Sequence, residues 1–378
     1  MTSQTAFQPH VFSPGLTLRN RIVMAPMTTW SAEDDGTVSA DEERYYRRRV
    51  GGVGLVITGC THVSASGIGF TGEFAACDDR FLPSLRRLAD AARSGGAPAV
   101  LQIFHAGVKS IPELIPGGDV LGASDSDGSN GTPVARGLSE AEIETIIQDF
   151  AAATRRAILA GFDGVELHGA HGFLLQNFLS PRFNRRTDVW GGSLENRLRF
   201  PLAVVAAVRA VIDVEADRPF VLGYRLSPEE PEADGLRLPE VEVLIDRLIS
   251  ARVDYIHASL ADILQARPLD ATDDLTIAER LVRHVADRAP LVAAGRIRTP
   301  DQAQAALALG LSLVAVGQGL VMNPDWVERA SAGQEAGITT TLRTSQLAAI
   351  DLPDKLFAAI VVAPGWFDLE DDAKRLAA

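Results

Sequence analysis

The chain has 378 residues and a formal net charge of −13, and 46% of its residues are hydrophobic. The apolar content fits a globular protein with a large core, while the acidic balance argues against binding to nucleic acid or to an anionic membrane surface. No apolar run approaches the length of about 18 residues that a membrane-spanning helix needs.

Two further features bear on the cellular compartment. The N-terminal segment, MTSQTAFQPHVF, has no basic region followed by an apolar run, so it predicts no cleaved signal peptide. The two cysteines, Cys60 and Cys77, do not suggest a disulfide framework or a metal-binding knuckle. We therefore expect a protein of the reducing cytoplasm, with neither a membrane nor a nucleic-acid partner.

Eight short apolar runs follow one another along the chain, and each is typical of a strand buried on both faces. In chain order they are RIVMAPM (21–27), VGLVITGC (53–60), PAVLQIFHAG (98–107), FDGVELHG (162–169), FVLGYRLS (220–227), VDYIHASL (253–260), PLVAAGR (290–296) and SLVAVGQG (312–319).

Amphipathic segments that predict helices lie between these runs. The longest, residues 139–161, begins with Ser139 as its N-cap, and Glu142 three residues later completes a capping box. Thr299 and Pro300 supply the N-cap and the first helical residue of the helix predicted over 299–310. Further helices are predicted over 193–212 and 238–252.

The alternation of strands and helices predicts an α/β fold, a closed (β/α)8 barrel of the TIM type. An open doubly wound sheet is the alternative, but the count of eight strands and the lack of a G-x-G-x-x-G motif after the first favour the barrel. FSPGLTLRNR, residues 12–21, predicts a hairpin that closes the barrel floor. Two long loops, 106–138 after the third strand and 226–238 after the fifth, are typical of lids or binding loops.

We assign residues 1–330 to a single barrel domain and residues 331–378 to a C-terminal tail. The tail ends in WFDLEDDAKRLAA, residues 366–378. We expect it to pack either on its own barrel or on a partner subunit, so the pattern is compatible with a homo-oligomer.

Barrels of this type carry their active site at the C-terminal ends of the strands. Small and polar residues gather at those ends here, which packing alone does not require, so we place the candidate site at this rim. The residues are Pro26, Met27, Thr28, Gly59, Cys60, Gln102, His105, His168, His171, Arg225, Gly295, Arg296, Gly317 and Gln318.

The last two strands are near-copies, LVAAGRI (291–297) and LVAVGQG (313–319). Each ends in a glycine, Gly295 or Gly317, where backbone N–H groups can approach an anion closely. Loops after strands seven and eight usually form the phosphate site of this barrel class, and Arg296 adds a positive charge. The alternative is that two tight turns need glycine; the repetition favours a phosphate.

Arg225 stands among apolar residues of the fifth strand. A buried guanidinium is costly unless it meets an anion or an acceptor. Two partners remain open at this point: a bound anion, or Glu166, which lies two residues before His168 and on the same strand face.

His168 and His171 follow the fourth strand and admit three interpretations. They could be satisfied core histidines, metal ligands, or two imidazole donors directed at one substrate oxygen. A metal site lacks further ligands at suitable spacing nearby. Their placement at a strand end favours the donor pair, and the core interpretation stays open.

The segment HGAHGFLLQNFLSPRFNRRTDVWGGSLENRLRF, residues 168–200, resembles the signature of the old yellow enzyme family of flavin-dependent ene-reductases. The family pattern there is H-G-A-[NH]-G-Y-L, then FLSP, NxRxD and YGGSxENRxRF. The resemblance includes NRIVMAPMT, QIFHAG and VAVGQGLVMNPDW and covers about residues 10–330 in order. It implies an FMN-binding (β/α)8 barrel that uses NADPH or NADH as reductant.

The resemblance also implies a role for each rim residue. FMN would be held by Pro26, Met27, Thr28 and Cys60 along the flavin ring, by Gln102 and Arg225 at its pyrimidine end, and by Gly295, Arg296, Gly317 and Gln318 around the phosphate. The implied catalytic pair, His168 and His171, would bind the activating oxygen of a small-molecule alkene. The reaction would be ping-pong: NAD(P)H reduces the flavin and leaves, and flavin N5 then gives hydride to the β-carbon of an α,β-unsaturated carbonyl or nitro compound.

Two positions depart from the family pattern. Phe173 stands where the family usually has a Tyr that protonates the α-carbon, so another group or water must supply that proton, or the natural reaction differs. Gln318 stands where an Arg usually meets the phosphate, and it supplies no charge. Trp30, just past strand one, is either a wall of the substrate pocket or a packing residue.

The leading hypothesis is therefore an FMN-dependent NAD(P)H oxidoreductase acting on activated alkenes. The alternatives are a flavin-binding barrel that lost turnover with the usual Tyr, an oxidative family member acting on another donor, and a phosphate-binding lyase or aldolase. Oxidative relatives usually carry extra cofactor domains and a cysteine cluster, which this sequence does not show. A Schiff-base aldolase needs a rim lysine, whereas Lys109, Lys355 and Lys374 end no predicted strand.

Overall fold

The computed structural model describes residues 5–129 and 131–370 of the chain. Its central feature is a barrel of eight parallel strands that coincide with the eight predicted runs. They are β1 Ile22–Met24, β2 Leu55–Ile57, β3 Ala99–Phe104, β4 Gly164–Gly169, β5 Val221–Leu226, β6 Tyr255–Ser259, β7 Leu291–Ala294 and β8 Leu313–Val316. Each strand is hydrogen-bonded to the next, and β8 pairs with β1, with Val316 in register with Met24. The sheet is closed, which confirms the (β/α)8 fold.

Seven main helices follow β1 to β7 and surround the barrel. They are α1 Ala40–Arg49, α2 Leu82–Arg93, α3 Glu140–Ala160, α4 Arg199–Glu215, α5 Leu238–Ser250, α6 Ile277–Val285 and α7 Pro300–Ala308. Shorter helices span Leu174–Leu179, Leu194–Arg197, Gln318–Met322, Trp326–Ser331 and Asp354–Val361. The helix predicted over 193–212 is therefore observed as a short helix followed by α4. None of the helices in the described ranges is both long and apolar enough to cross a membrane.

The predicted helix starts are confirmed by their capping contacts. Ser139 Oγ accepts the N–H of Glu142 at 3.3 Å, and a Glu142 carboxylate oxygen accepts the N–H of Ser139 at 2.8 Å. Thr299 and Gln302 make the same reciprocal pair at α7. These bonds satisfy N–H groups that the first helical turn leaves without partners, so they fix where the chain turns from the rim into each helix.

The predicted hairpin lies across the floor of the barrel. Strand His10–Ser13 pairs antiparallel with Leu16–Leu18. Phe12 and Leu18 are buried in the apolar cluster that fills the barrel interior, and the ring of Phe12 lies 5.1 Å from that of Tyr255. Because this end is filled with apolar side chains, the opposite rim is left for a ligand.

Of the two predicted long loops, 106–138 carries short strands of its own, whereas 226–238 has no helix or strand between the end of β5 and the start of α5. In 106–138, the two-residue strand Leu121–Gly122 pairs with Arg136–Gly137, and Val108, Ile115, Val120 and Ala135 form a small buried cluster. After β2, strands Thr61–His62 and Phe74–Ala75 pair with each other, and the first also pairs with the end of β3. The loop between them is thereby tied to the barrel rim.

The C-terminal tail packs on the barrel of the same chain over its described part. Strand Thr341–Leu342 pairs with Asp368–Leu369. The apolar side chains that join the cluster around the barrel helices are Leu342, Leu356, Ile360 and Phe367. Residues 371–378, the end of the WFDLEDDAKRLAA segment, lie outside the described residues.

Candidate active site

A cavity of about 310 Å³ opens at the C-terminal ends of the strands. All fourteen residues that the sequence nominated for the cofactor, the catalytic pair and the substrate pocket line it. They are Pro26, Met27, Thr28, Trp30, Cys60, Gln102, His168, His171, Phe173, Arg225, Gly295, Arg296, Gly317 and Gln318. The barrel topology therefore brings residues from seven strand ends to one site.

Eight lining residues were not among those nominated from the sequence, and three of them, Phe70, Ser259 and Trp366, carry an aromatic ring or a hydroxyl. Ser259 ends β6, so its position at a strand end was a usable signal. Phe70 lies in the loop after β2, and Trp366 lies in the C-terminal tail, where no local pattern points to the barrel rim. The rings of Phe70 and Trp366 pack edge-on against Trp30, at 5.7 and 5.8 Å between centroids.

The two histidines lie side by side on the cavity wall. Their ring centroids are 5.0 Å apart. His168 is buried, and burial, together with the charges around it, lowers its pKa well below the usual value. Desolvation by the cavity walls and the charges of Arg225 and Lys109 likewise lower the pKa of His171, although part of this side chain is exposed. Both imidazoles are therefore neutral near pH 7.

Hydrogen bonds indicate where each imidazole carries its proton. His168 Nδ1 accepts the N–H of Ala170 at 3.4 Å, which leaves the proton on Nε2. Ser259 Oγ accepts an N–H of Arg225 at 3.1 Å and lies 2.7 Å from His171 Nε2. Because the guanidinium can only donate, the Ser259 proton is free to go to His171 Nε2, which leaves the His171 proton on Nδ1.

Phe173 completes an apolar wall beside the histidines. Its ring lies 4.8 Å from that of His168 and 5.0 Å from that of Phe104. Cys60 and Ala106 pack in the same buried cluster, with Phe70 against it. This wall presents no acidic proton at the position of Phe173.

Arg225 is buried in the cavity floor with its hydrogen-bonding capacity only partly used. Its guanidinium donates to Ser259 Oγ, and its Nε has no partner among the described residues. Burial lowers the pKa of the Arg225 guanidinium, and the charge of Glu166 raises it. A buried cation with a free N–H fits an anionic or accepting ligand group.

Glu166 is not the direct partner of Arg225. Its Oε1 accepts an N–H of Gln102 at 2.7 Å, and its Oε2 accepts the Tyr255 hydroxyl and His257 Nδ1, each at 2.9 Å. Burial would raise the pKa of Glu166, but the neighbouring His257 and Arg225 and these bonds lower it. A buried carboxylate thus holds Gln102 in place beneath the cavity and balances part of the Arg225 charge.

Cys60 enters the cavity as a thiol. Its side chain is buried, and burial raises its pKa to about 12. Its Sγ lies 3.4 Å from Gln102 Oε1, to which it donates. The residue therefore offers packing and a weak donor and is not a nucleophile.

The region after β7 and β8 combines close packing with one free cation. A Cβ added to Gly295 would meet the backbone oxygen of Leu260 at 2.6 Å, so packing alone already requires this glycine, whereas one added to Gly317 would meet only the flexible side chain of Met27, with Sδ at 2.8 Å. Arg296 is exposed and makes no ion pair with any described residue. It therefore remains available to an anionic ligand.

Gln318 uses its side chain within the protein. Its amide oxygen accepts an N–H of Arg298 at 2.9 Å, and its amide nitrogen donates to Trp366 O. Arg298 in turn pairs with Asp368. This chain of contacts ties the C-terminal tail to the end of β8 and places Trp366 in the cavity wall.

Three residues of the cavity wall have a strained backbone conformation. Seven non-glycine residues in the described chain have positive φ, and three of them, Trp30 (55°), His171 (60°) and Arg296 (55°), line the cavity. Such conformations cost of order 1 kcal/mol each and persist where surrounding contacts fix them, commonly at functional sites.

Comparison with known proteins agrees with this geometry. A family model described as NADH:flavin oxidoreductase / NADH oxidase matches residues 5–336. The chain belongs to this family. It is 43% identical to the probable NADH-dependent flavin oxidoreductase YqiG of Bacillus subtilis (strain 168), over 97% of this chain and 98% of that protein.

Two further members of the NADH:flavin oxidoreductase family are informative. The NADH:fumarate oxidoreductase of Klebsiella pneumoniae (strain 342) is 36% identical over 100% of this chain, which spans 43% of that longer protein. The solved structure of the old yellow enzyme homologue from Zymomonas mobilis superposes with a TM-score of 0.76 at 26% identity, over 89% of this chain and 94% of that one. The resemblance to the old yellow enzyme family is thus confirmed.

FMN is the cofactor of this family, and a nicotinamide nucleotide is its reductant. The residues present fit FMN. Arg225 offers a buried N–H without a partner, and Arg296 offers a cation without an ion pair among the described residues. Arg225 lies on β5 and Arg296 in the loop after β7. These two side chains suit a ligand that carries a ring with hydrogen-bond acceptors and, at its other end, a phosphate.

Proposed function

We propose that this protein is an FMN-dependent NAD(P)H oxidoreductase that reduces activated C=C bonds in α,β-unsaturated carbonyl or nitro compounds. The observation that carries the proposal is the pair of neutral imidazoles, His168 and His171, with ring centroids 5.0 Å apart on the wall of the cavity. The fumarate-reducing relative, whose named substrate is itself an activated alkene, supports the substrate class.

When bound, FMN accepts a hydride from NAD(P)H and passes one to the alkene, so the two half-reactions use the cavity in turn. We assign Gln102 and Arg225 to the pyrimidine end of the flavin. The wall along the ring is assigned to Pro26, Met27, Thr28 and Cys60, and the phosphate site to Gly295, Arg296 and Gly317, with Gln318 contributing backbone only because its amide is bonded elsewhere.

The histidines act on the oxygen of the substrate. His168 Nε2–H and His171 Nδ1–H are the two ring protons that the internal bonds leave free. Hydride arrival at the β-carbon moves negative charge onto the activating oxygen, and donors already in place stabilise that charge most when it is fully developed. A neutral imidazole carries one ring N–H, which can donate a hydrogen bond to the substrate oxygen without a prior change of protonation state.

The proton for the α-carbon does not come from residue 173. Phe173 is an edge-packed hydrocarbon ring, and with Trp30 and Phe70 it forms the apolar side of the pocket. In this proposal water or another group supplies the proton, and protonation is the step in which this chain departs from the family pattern.

The test is His168→Ala in the FMN-loaded enzyme. Loss of one oxyanion donor typically slows a reaction about 10²- to 10³-fold, so we expect that slowing in stopped-flow reoxidation by 2-cyclohexenone. FMN content and flavin reduction by NADH should stay close to wild type, and phenol binding should weaken. His284→Ala on α6, which removes a histidine bonded to Asp246 away from the cavity, is the matched control. Equal reoxidation rates for His168→Ala and wild type would refute the role of the pair.

A second candidate is a flavin-binding barrel with little alkene turnover, and Phe173 is the observation that favours it. The two candidates separate in one experiment. FMN that is reduced by NAD(P)H but is not reoxidised by cyclohexenone, N-ethylmaleimide, fumarate or a nitroalkene supports the second candidate and rejects the first.

A further inference from the structure

A second cavity of about 370 Å³ lies beside the flavin cavity, and Phe70 lines both. It is formed by the loop after β1, the two short strands after β2, and the start of α2. Its wall contains three groups that the proposed reaction does not use: Cys77, His62 and Glu73.

These three side chains lie together on the cavity wall. His62 Nδ1 lies 2.8 Å from Glu73 Oε1, and both side chains are almost fully buried. Cys77, whose thiol is half-buried, lines the same cavity, and the N–H of the preceding residue, Ala76, donates to His62 O at 2.9 Å. A nucleophile near a base that a carboxylate orients is the arrangement by which proteins activate a thiol.

The carboxylate is held rigidly. Glu73 Oε2 accepts the N–H groups of Gly69 and Phe70 at 3.2 and 2.9 Å. Burial alone would lower the pKa of His62, but its bonds to Cys77 and Glu73 and the Glu73 charge raise it to about 9. His62 is then an imidazolium near pH 7 and holds a proton in the cavity that Cys77 also lines.

The charges around the cavity restrict what can approach. Glu33, Asp34 and Asp35 line it from the loop after β1, and Arg80 lines it from the turn before α2. His105, which also lies near His62, is neutral near pH 7 because burial lowers its pKa to about 3. The net negative mouth disfavours anions, while Ile68, Phe70 and Phe81 offer apolar contact.

The same contacts argue against acyl transfer. The N–H groups of Gly69 and Phe70, two neighbouring backbone donors on this loop, are committed to Glu73 and do not face a tetrahedral oxyanion. Conjugate addition has no such requirement, because the charge spreads over the enolate and is removed by a proton.

We propose that Cys77, His62 and Glu73 form a modification site for neutral electrophilic alkenes of the enone and quinone class, distinct from the flavin cavity. The lone pair of Cys77 Sγ forms the bond to the β-carbon, and the C=C electron pair moves to the α-carbon. The His62 imidazolium proton then passes to the α-carbon and leaves a neutral imidazole. The product is a thioether, and no oxidant or reductant is consumed.

The test uses the full-length FMN-loaded protein with N-ethylmaleimide and without NAD(P)H, followed by intact-mass measurement and peptide mapping. We expect one addition, at Cys77, with Cys60 unmodified. At pH 6 the rate should exceed that of glutathione about tenfold or more, because His62 supplies the proton that the α-carbon takes up. His62→Gln should lose this advantage, while Cys77→Ser should take up no label and keep wild-type flavin reduction by NADH.

Two comparisons keep the outcome decisive. Iodoacetamide is neutral, and iodoacetate is an anion of nearly the same size. Because the acidic residues at the cavity mouth disfavour an anion, the rate with iodoacetamide relative to that with iodoacetate should be higher at Cys77 than for glutathione. If His62→Gln does not fold, His62→Asn replaces it. A wild-type rate at pH 6 no higher than that of glutathione would by itself overturn the proposal, as would labelling of Cys60 ahead of Cys77.

Discussion

His171 and Ser259 are joined by a hydrogen bond of 2.7 Å between Nε2 and Oγ, although 88 residues separate them in the chain. The same hydroxyl accepts from Arg225 at 3.1 Å. One serine therefore links the residue assigned to the substrate oxygen with the residue assigned to the flavin.

Ser259→Ala should remove the partner that orients His171. A hydrogen bond of this kind contributes about 1–2 kcal/mol, so we expect kcat/KM for cyclohexenone to fall about 5- to 30-fold, with FMN content little changed. Ser259→Thr keeps the hydroxyl and is the matched control. An alanine variant with wild-type kcat/KM would show that His171 is oriented by other contacts.

Arg225→Ala should weaken FMN binding, because it removes the buried cation whose Nε has no partner among the described residues. Bonds to a charged group contribute about 1.5–3 kcal/mol, which corresponds to about a 10- to 100-fold increase in Kd. Quenching of FMN fluorescence during titration of the apoprotein measures it. Arg225→Lys keeps the charge but not the planar donor set, so its Kd should lie between those of wild type and the alanine variant; a Kd equal to wild type for both variants would contradict the assignment.

Glu166→Gln should destabilise the barrel itself. The carboxylate accepts three buried bonds, from Gln102, Tyr255 and His257, and an amide nitrogen cannot accept them. Breaking a buried charged network costs about 3–5 kcal/mol, so we expect a clear fall in the urea midpoint. Glu140→Gln, an exposed change at the start of α3, should leave the midpoint within error. Equal midpoints for the two variants would mean that the network contributes little.

Glu42→Gln should remove a pH dependence of stability. Glu42 is fully buried on α1, where Thr29 donates to its Oε1 while its Oε2 has no described partner, and burial raises its pKa to about 7. A raised carboxyl pKa means that the stabilisation is complete below the unfolded value of 4.5 and is lost as pH rises through about 7. Relative to Glu42→Gln, the wild type should therefore lose about 3 kcal/mol of unfolding free energy from pH 4.5 to 8. Urea unfolding at four pH values measures this, and parallel curves would contradict it.

Phe173→Tyr should restore the proton donor that the family pattern contains. The ring is already held by Phe104 and His168, so the fold should be kept. We expect turnover on enones to rise and the solvent deuterium isotope effect on reoxidation to change. If both stay at wild-type values, residue 173 serves packing only.

The amino-acid sequence by itself determined the barrel and its rim. Buried parallel strands need continuous apolar runs, and eight such runs joined by helices can close only with their C-terminal ends at one edge. Residues as distant as Thr28, His168 and Gln318 could therefore be assigned to one site before any distance was known. The fourteen residues nominated for the cofactor, the catalytic pair and the substrate pocket line one cavity, whereas Gly59 and His105, also placed at the rim from the sequence, do not line it.

Only the tertiary structure decided which side chains meet within and beside that site. Glu166 bonds to Gln102, Tyr255 and His257 instead of pairing with Arg225, because the strand register of the barrel sets which inward side chains touch. Trp366 reaches the cavity through the contacts of Gln318 and Arg298 with the tail. Cys77 meets His62 only because two short strands after β2 pair with each other. Such contacts depend on the path of loops, which periodicity and strand counting do not encode.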